Sequence, residues 1–263
     1  AAGVQVVEVG TGPTPALSFA AAYLETDGAI QVTGSHNPPE YNGFKLGIAG
    51  RSLYGDAIQE IRGLIEAEDF LSGAGEVERR EMIPEYITAV TSRFEVQRPV
   101  KVVVDCGNGA GSLVAVDLLK AMGPQVEVVP LFCESDGTFP NHHPDPVVDA
   151  NLQDLVTEVR NTHADLGIAF DGDGDRIGAV DGEGRTIWGD QLLAILAEPV
   201  LKDCPGATII ADVKASQALF DRVAELGGEP FMWKTGHSHI KSKMKETGAP
   251  LAGEMSGHIF FAH

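Results

Sequence analysis

The chain has 263 residues, 43% of them apolar, enough to bury one large core or two to three smaller ones, so a disordered chain is excluded. Its formal charge of -19, from 38 acidic against 19 basic side chains, argues against nucleic acid and anionic membranes as partners, since both require a basic face. No apolar run approaches the roughly 20 residues of a membrane span, and Cys106, Cys133 and Cys204, odd in number and without a Cys-x-x-Cys pair, indicate neither a disulfide framework nor a zinc site; a reducing cytoplasm fits.

In chain order, Gln5 to Val9 and Ala29 to Val32 read as strands around a helix that opens near Pro15, half of a strand-helix-strand unit. The second strand runs into Thr33-Gly34-Ser35-His36-Asn37-Pro38-Pro39, where glycine and two prolines exclude regular structure and hold a serine on a rigid turn. A serine so placed is a local cap more often than a nucleophile, so this loop alone decides nothing. Helices follow at Asp56 to Asp69 and Pro84 to Glu95, their acids reading as solvated faces. Arg98-Pro99 marks a junction. Lys101 to Asp105 then starts a second unit whose Gly107-Asn-Gly-Ala-Gly111 turn misses the dinucleotide fingerprint, which requires glycine where Ser112 stands. Helix Ala110 to Met122, strand Val126 to Leu131, a proline-rich loop with His142 and His143 as structural hydrogen-bonders, and helix Val148 to Thr162 complete this stretch.

Asp165 to Asp181 carries the strongest chemical signal. Two short apolar runs flank Asp171-Gly172-Asp173-Gly174-Asp175-Arg176, predicting strand, tight acidic loop and strand. Carboxylates at alternate positions, separated by glycines, can turn their oxygens toward one point, and all-oxygen ligation suits magnesium, calcium or manganese. An EF-hand fails by counting, since its sixth and twelfth positions hold Arg176 and Gly182 instead of glycine and glutamate. Phe170-Asp-Gly-Asp-Gly also resembles the start of the haloacid-dehalogenase motif of aspartyl phosphotransferases, although that motif normally opens its domain and has threonine or valine where Asp175 stands.

After the Asp181-Gly-Glu-Gly184 turn come helix Asp190 to Leu201, strand Thr208 to Asp212, helix Ser216 to Leu226, strand Glu229 to Trp233, helix Ser238 to Glu246 and the Gly253 to His258 loop. The alternation predicts an α/β fold of successive similar strand-helix domains, 1–97, 98–183 and 184–263, with mostly parallel mixed sheets around a shared cleft. Lys45, Arg176, Lys214, Lys234, His237, Lys241 and His258 fall in or beside the loops, concentrating positive charge where an anionic substrate needs it.

Thr33 to Pro38, the acidic loop and Gly253-Glu254-Met255-Ser256-Gly257-His258, together with Gly12-Pro-Thr-Pro15, Tyr41-Asn-Gly-Phe-Lys45, Phe139-Pro-Asn-His-His-Pro144, Asp212-Val-Lys214 and Thr235-Gly-His-Ser238, resemble the alpha-D-phosphohexomutases, the phosphomannomutase and phosphoglucomutase family. The resemblance runs along the entire chain. It implies an enzyme that interconverts hexose 1- and 6-phosphates of mannose or glucose through a phosphoserine at Ser35 and a hexose 1,6-bisphosphate, which also serves as activator. One magnesium per active site is implied on Asp171, Asp173, Asp175 and a phosphoserine oxygen of Ser35. Lys45 takes the family's general acid/base position, and a lysine beside other cations is expected to have a lowered pKa. His36 and Arg176 orient the phosphoryl group, Glu254, Ser256 and His258 match the sugar loop, and Lys214 and His237 line the cleft. Small-molecule hexose phosphates are the expected partners. Family members have four domains, so the resemblance implies a fragment lacking an N-terminal segment and the fourth domain. The alternatives are the aspartyl phosphotransferase and a non-catalytic sugar-phosphate binder, the latter having no use for Ser35 and Lys45.

Overall fold

The computed structural model describes residues 2–262. The first part contains β1 (Val6–Glu8), α1 (Thr14–Tyr23), β2 (Gly28–Val32), β3 (Phe44–Ile48), β4 (Arg51–Ser52), α2 (Asp56–Glu66), β5 (Val77–Arg79) and α3 (Ile83–Thr91). β1 and β2 flank α1 as expected but do not share a sheet: β1 pairs in parallel with β5, and β2 pairs antiparallel with β3. The Pro38-Pro39 and Asn42-Gly43 turns reverse the chain, so Phe44–Ile48 folds straight back along β2 with Lys45 opposite Gln31.

The middle part contains β6 (Val100–Asp105), α4 (Ala115–Ala121), β7 (Val126–Leu131), α5 (Gln153–Thr162), β8 (Leu166–Phe170), β9 (Ile177–Asp181) and β10 (Thr186–Ile187), in the sheet order β10-β9-β8-β6-β7. β6 lies parallel to β7 and β8, whereas β8, β9 and β10 alternate in direction. The Asp181–Gly184 turn is therefore a hairpin, and the middle sheet runs past residue 183 to Ile187. The expected helix from Ala110 begins as a 3-10 turn, Ala110–Leu113, before α4, because Gly109 and Gly111 disfavour helix nucleation there. Val103, Leu152, Leu155, Val159 and Val180 are fully buried between sheet and α5.

The last part contains α6 (Gly189–Asp203), β11 (Thr208–Asp212), α7 (Gln217–Glu225), β12 (Glu229–Trp233), α8 (His237–Thr247), β13 (Leu251–Gly253) and β14 (Ile259–Phe261), ordered β12-β11-β13-β14. Its sheet is parallel except for the β13–β14 hairpin. Leu193, Ile209, Leu219, Val223 and Leu251 form its core. Among the described residues no helix is long and apolar enough to cross a membrane.

Loops from all three parts converge. Ile177 N–H donates to Gly257 O at 3.0 Å, and the Tyr54 and His239 rings meet edge-on at 4.6 Å, joining the first part to α8. The acidic loop follows β8 at the carboxyl end of the parallel strands, where open α/β sheets bind ligands.

Candidate active site

The acidic loop is a six-residue connection between β8 and β9, and its own backbone fixes the first carboxylate. Asp171 Oδ1 accepts the N–H groups of Asp175 and Arg176 at 3.0 and 3.1 Å. That leaves Oδ2 to face outward, where it accepts the Ser35 hydroxyl at 3.0 Å. Oxygens of Asp171, Asp173 and Asp175 lie within 4.8 Å of one another, the first two residues buried.

Ser35 reaches this loop because its turn is bent back on itself. Thr33 Oγ1 accepts the Ser35 N–H at 2.8 Å, and Ser35 takes a left-handed φ of 55°. The turn packs so closely on the acidic loop that a Cβ on Gly172 would overlap the Ser35 carbonyl oxygen; only glycine fits. His36 Nδ1 lies 3.1 Å from Ser35 Oγ, and burial, then the Arg176 guanidinium, hold this imidazole below its ordinary pKa. Arg176 itself stands 3.7 Å from Asp171 Oδ2.

Lys45 departs from expectation. Its ammonium sits between two carboxylates, 2.6 Å from Asp173 Oδ2 and 2.6 Å from Asp175 Oδ2. Burial, which lowers its pKa, is outweighed by Asp175 and Asp173, so the pKa is raised. Thr14, at the start of α1, adds a contact the sequence did not disclose: its hydroxyl donates to Asp173 Oδ2 at 2.7 Å, and its N–H to the Asp173 carbonyl at 2.8 Å. Thr14 lies inside the quoted Gly12-Pro-Thr-Pro15 motif, the one signal that pointed to it.

From the last part, the β13–β14 hairpin tip places His258 with Nε2 3.2 Å from Asp175 Oδ1 and Nδ1 3.0 Å from Glu254 Oε2 and 2.9 Å from Ser256 Oγ. Burial disfavours its charged form, but Asp175 and Glu254 prevail and raise its pKa. The His237 ring lies 5.7 Å from that of His258. Burial, Lys241, His258 and Lys45 push His237 down to about 4. Buried Asp212, which opens the Asp212-Val-Lys214 motif but had no role assigned from sequence, accepts the Thr235 hydroxyl at 3.0 Å and ties β11 to the turn before α8. Lys214 is exposed on the turn after β11 and, among the described residues, makes no hydrogen bond or ion pair with the others. His142 bonds Asp105 Oδ2 at 3.0 Å and stays out of the carboxylate cluster.

The cluster fits a hard divalent cation. Its donors are carboxylate oxygens alone, and buried Asp173 Oδ1 has no hydrogen-bond partner. Burial, then the charges of Asp175 and Asp173, push the Asp171 carboxyl up to about 7.

Family models for phosphoglucomutase/phosphomannomutase alpha/beta/alpha domains I, II and III match residues 1–72, 84–184 and 188–263. A Pseudomonas aeruginosa phosphomannomutase/phosphoglucomutase is 52% identical over 259 residues, and a Neisseria meningitidis phosphoglucomutase 47% identical over 261; each alignment covers 98% of this chain and 56% of the relative. The chain thus spans about half the length of these curated relatives. A crystal structure of a phosphoglucomutase/phosphomannomutase family protein from Burkholderia thailandensis superposes with a TM-score of 0.95 at 50% identity, over 100% of this chain and 58% of that one. With three successive domain models matched in order along nearly its whole length, the chain belongs to the phosphoglucomutase/phosphomannomutase family, the alpha-D-phosphohexomutases.

Proposed function

We propose that the chain carries the phosphoryl-transfer centre of a phosphohexomutase that interconverts the 1- and 6-phosphates of mannose or glucose. Phosphorylated Ser35 passes its phosphoryl group to the free hydroxyl of a hexose monophosphate; the resulting 1,6-bisphosphate turns over in the cleft and returns its other phosphate to Ser35. Hexose 1,6-bisphosphate is the activator that charges the serine. The reading is carried by Ser35 Oγ, which approaches Asp171 at 3.0 Å from another part of the chain and opposite a cluster suited to a cation.

Asp171, Asp173, Asp175 and phosphorylated Ser35 would hold a magnesium ion, which would supply neutralisation of charge on the phosphoryl oxygens. His36 and Arg176 flank Ser35 and orient that group. Lys45 is the acid/base residue; its ammonium carries the proton to be donated, and separation from Asp173 and Asp175, which hold its pKa up, readies it to give that proton away. Glu254, Ser256 and His258 face sugar hydroxyls, with His237 beside them, and Lys214 meets the substrate from the turn after β11. We place the unit boundaries near residue 97 and after the β9–β10 hairpin, a division supported by the grouping of strands into separate sheets.

Turnover of glucose and mannose 1-phosphates, with bisphosphate and magnesium present, tests this reading. Ser35→Ala should abolish turnover of both; wild-type turnover in that variant sinks it.

A further inference from the structure

Two cysteines that phosphoryl transfer does not use lie side by side beneath the acidic loop. Cys106 directly follows β6 and Cys133 stands two residues beyond β7, and these strands are parallel neighbours with Asp105 opposite Leu131. Pairing continues past their ends: Cys106 N–H donates to Leu131 O at 3.2 Å and Asn108 N–H to Phe132 O at 2.9 Å. The two main chains therefore stay at sheet spacing, about 4.8 Å. Phe132 takes a φ of 50°, which a bulky side chain adopts only where its surroundings impose it. The bend brings Cys133 Sγ back over β6, 3.4 Å from Val104 O and 3.2 Å from Cys106 Sγ. A disulfide requires Cα atoms within roughly 4.4–6.8 Å and sulfurs about 2.05 Å apart. Cys106 and Cys133 stand one residue out of register, so sheet spacing and rise per residue put their Cα atoms roughly 6 Å apart, which meets the first condition, and an approach of about 1 Å between the sulfurs meets the second.

The two thiols differ in access and acidity. Cys106 is fully buried, whereas Cys133 lines a cavity of about 570 Å³ together with Ser112, Val116, Phe132 and Asn141. The hydrogen bond they share, then burial, push the Cys106 thiol up, while the same bond draws Cys133 down; Cys133 is also the sulfur that the cavity opens to reagents.

We infer that Cys106 and Cys133 form an oxidisable dithiol site whose co-reactant is a hydroperoxide entering that cavity. The Cys133 thiolate attacks the peroxide, the O–O bond breaks, and Cys133 becomes a sulfenic acid while water leaves from hydrogen peroxide, or an alcohol from an organic hydroperoxide. The Cys106 thiol then attacks the sulfenic sulfur and expels its hydroxyl as a second water, leaving the disulfide. Two electrons pass from the sulfurs to the peroxide. The crosslink anchors the turn beneath the acidic loop, where Ala110 N–H donates to Gly172 O at 2.8 Å.

The folded chain is treated with hydrogen peroxide, quenched in acid, alkylated in denaturant and digested. Free thiols should fall from three to one, leaving Cys204, with peptides bearing Cys106 and Cys133 joined by a bond that dithiothreitol reverses. Cys106→Ser should leave Cys133 as a sulfenic acid captured by dimedone, because the resolving thiol is gone. Should that variant not fold, the wild-type crosslink decides alone. Recovery of Cys106 and Cys133 as free thiols after treatment that oxidises Cys204, or of Cys133 as sulfinic acid beside free Cys106, overturns the proposal.

Discussion

Ser35 and Asp171 meet at 3.0 Å, yet the regions that deliver them are held in different ways. Around Asp171 the middle sheet is packed dry, with Val103, Val104 and Val180 fully buried, and the loop's own N–H groups fix the carboxylate. The β2–β3 hairpin behind Ser35 and Lys45 leaves Ile30 62%, Val32 55% and Phe44 70% exposed. What aligns the serine turn is its contact with the acidic loop: the hydroxyl on Asp171, the carbonyl against Gly172, Lys45 between Asp173 and Asp175, and Thr14 on Asp173. Positional order at the site therefore resides in the middle part and is borrowed by the first. Each region can be perturbed separately.

The largest effect is expected from Asp173→Ala, since Asp173 meets both Thr14 and Lys45 and is a proposed cation ligand. Losing one of three carboxylate ligands, at about 3–4 kcal/mol, should lower magnesium affinity roughly 10²- to 10³-fold in titration calorimetry. Unchanged affinity would detach the metal from these carboxylates. Gly172→Ala aims at the borrowed order alone. Its Cβ overlaps the Ser35 carbonyl, so the serine turn must move off, and a displacement of about 1 Å costs on the order of 10² in kcat/KM. Magnesium affinity should stay within a few-fold, because no carboxylate is touched; a parallel collapse of both would show that the two regions do not separate.

The smallest effect concerns His237 in the last part. Its folded-state pKa of about 4 lies below the ordinary 6.5, so between these values the unfolded chain takes up a proton that the folded chain refuses. Stability from this group is thus lost as pH falls through 6.5 toward 4. His237→Asn should lose less Tm than the parent between pH 7 and pH 5, by roughly 1 kcal/mol after screening, or about 2–4 °C. Equal losses would mean that the histidine is protonated in the folded state.

Much of this was legible locally. Val126–Leu131, Ile177–Asp181, Thr208–Asp212 and Glu229–Trp233 coincide with the strands expected from apolar runs bounded by turn residues. Val77–Arg79 and Leu251–Gly253 escaped because they are three residues long, and Phe44–Ile48 because Lys45 and Gly47 interrupt its apolar run. At the site, the serine turn, the acidic loop and the Gly253 to His258 loop could be picked out as motifs, since each is a local pattern of turn formers and polar side chains. The pKa direction of Lys45 could not, because its neighbours Asp173 and Asp175 are 128 and 130 positions away. Thr14 and Asp212 were likewise invisible as contacts: their partners are set by how the parts pack.

In the proposed reaction Ser35 carries the phosphoryl group opposite the acidic loop. Incubating the chain with a hexose 1,6-bisphosphate and magnesium, then mapping the phosphate by peptide mass spectrometry, tests it most directly. One acid-stable phosphate is expected on Ser35 and none in Ser35→Ala; a label on Asp171 or Asp173, labile to hydroxylamine, would overturn the assignment and identify an aspartyl phosphotransferase instead.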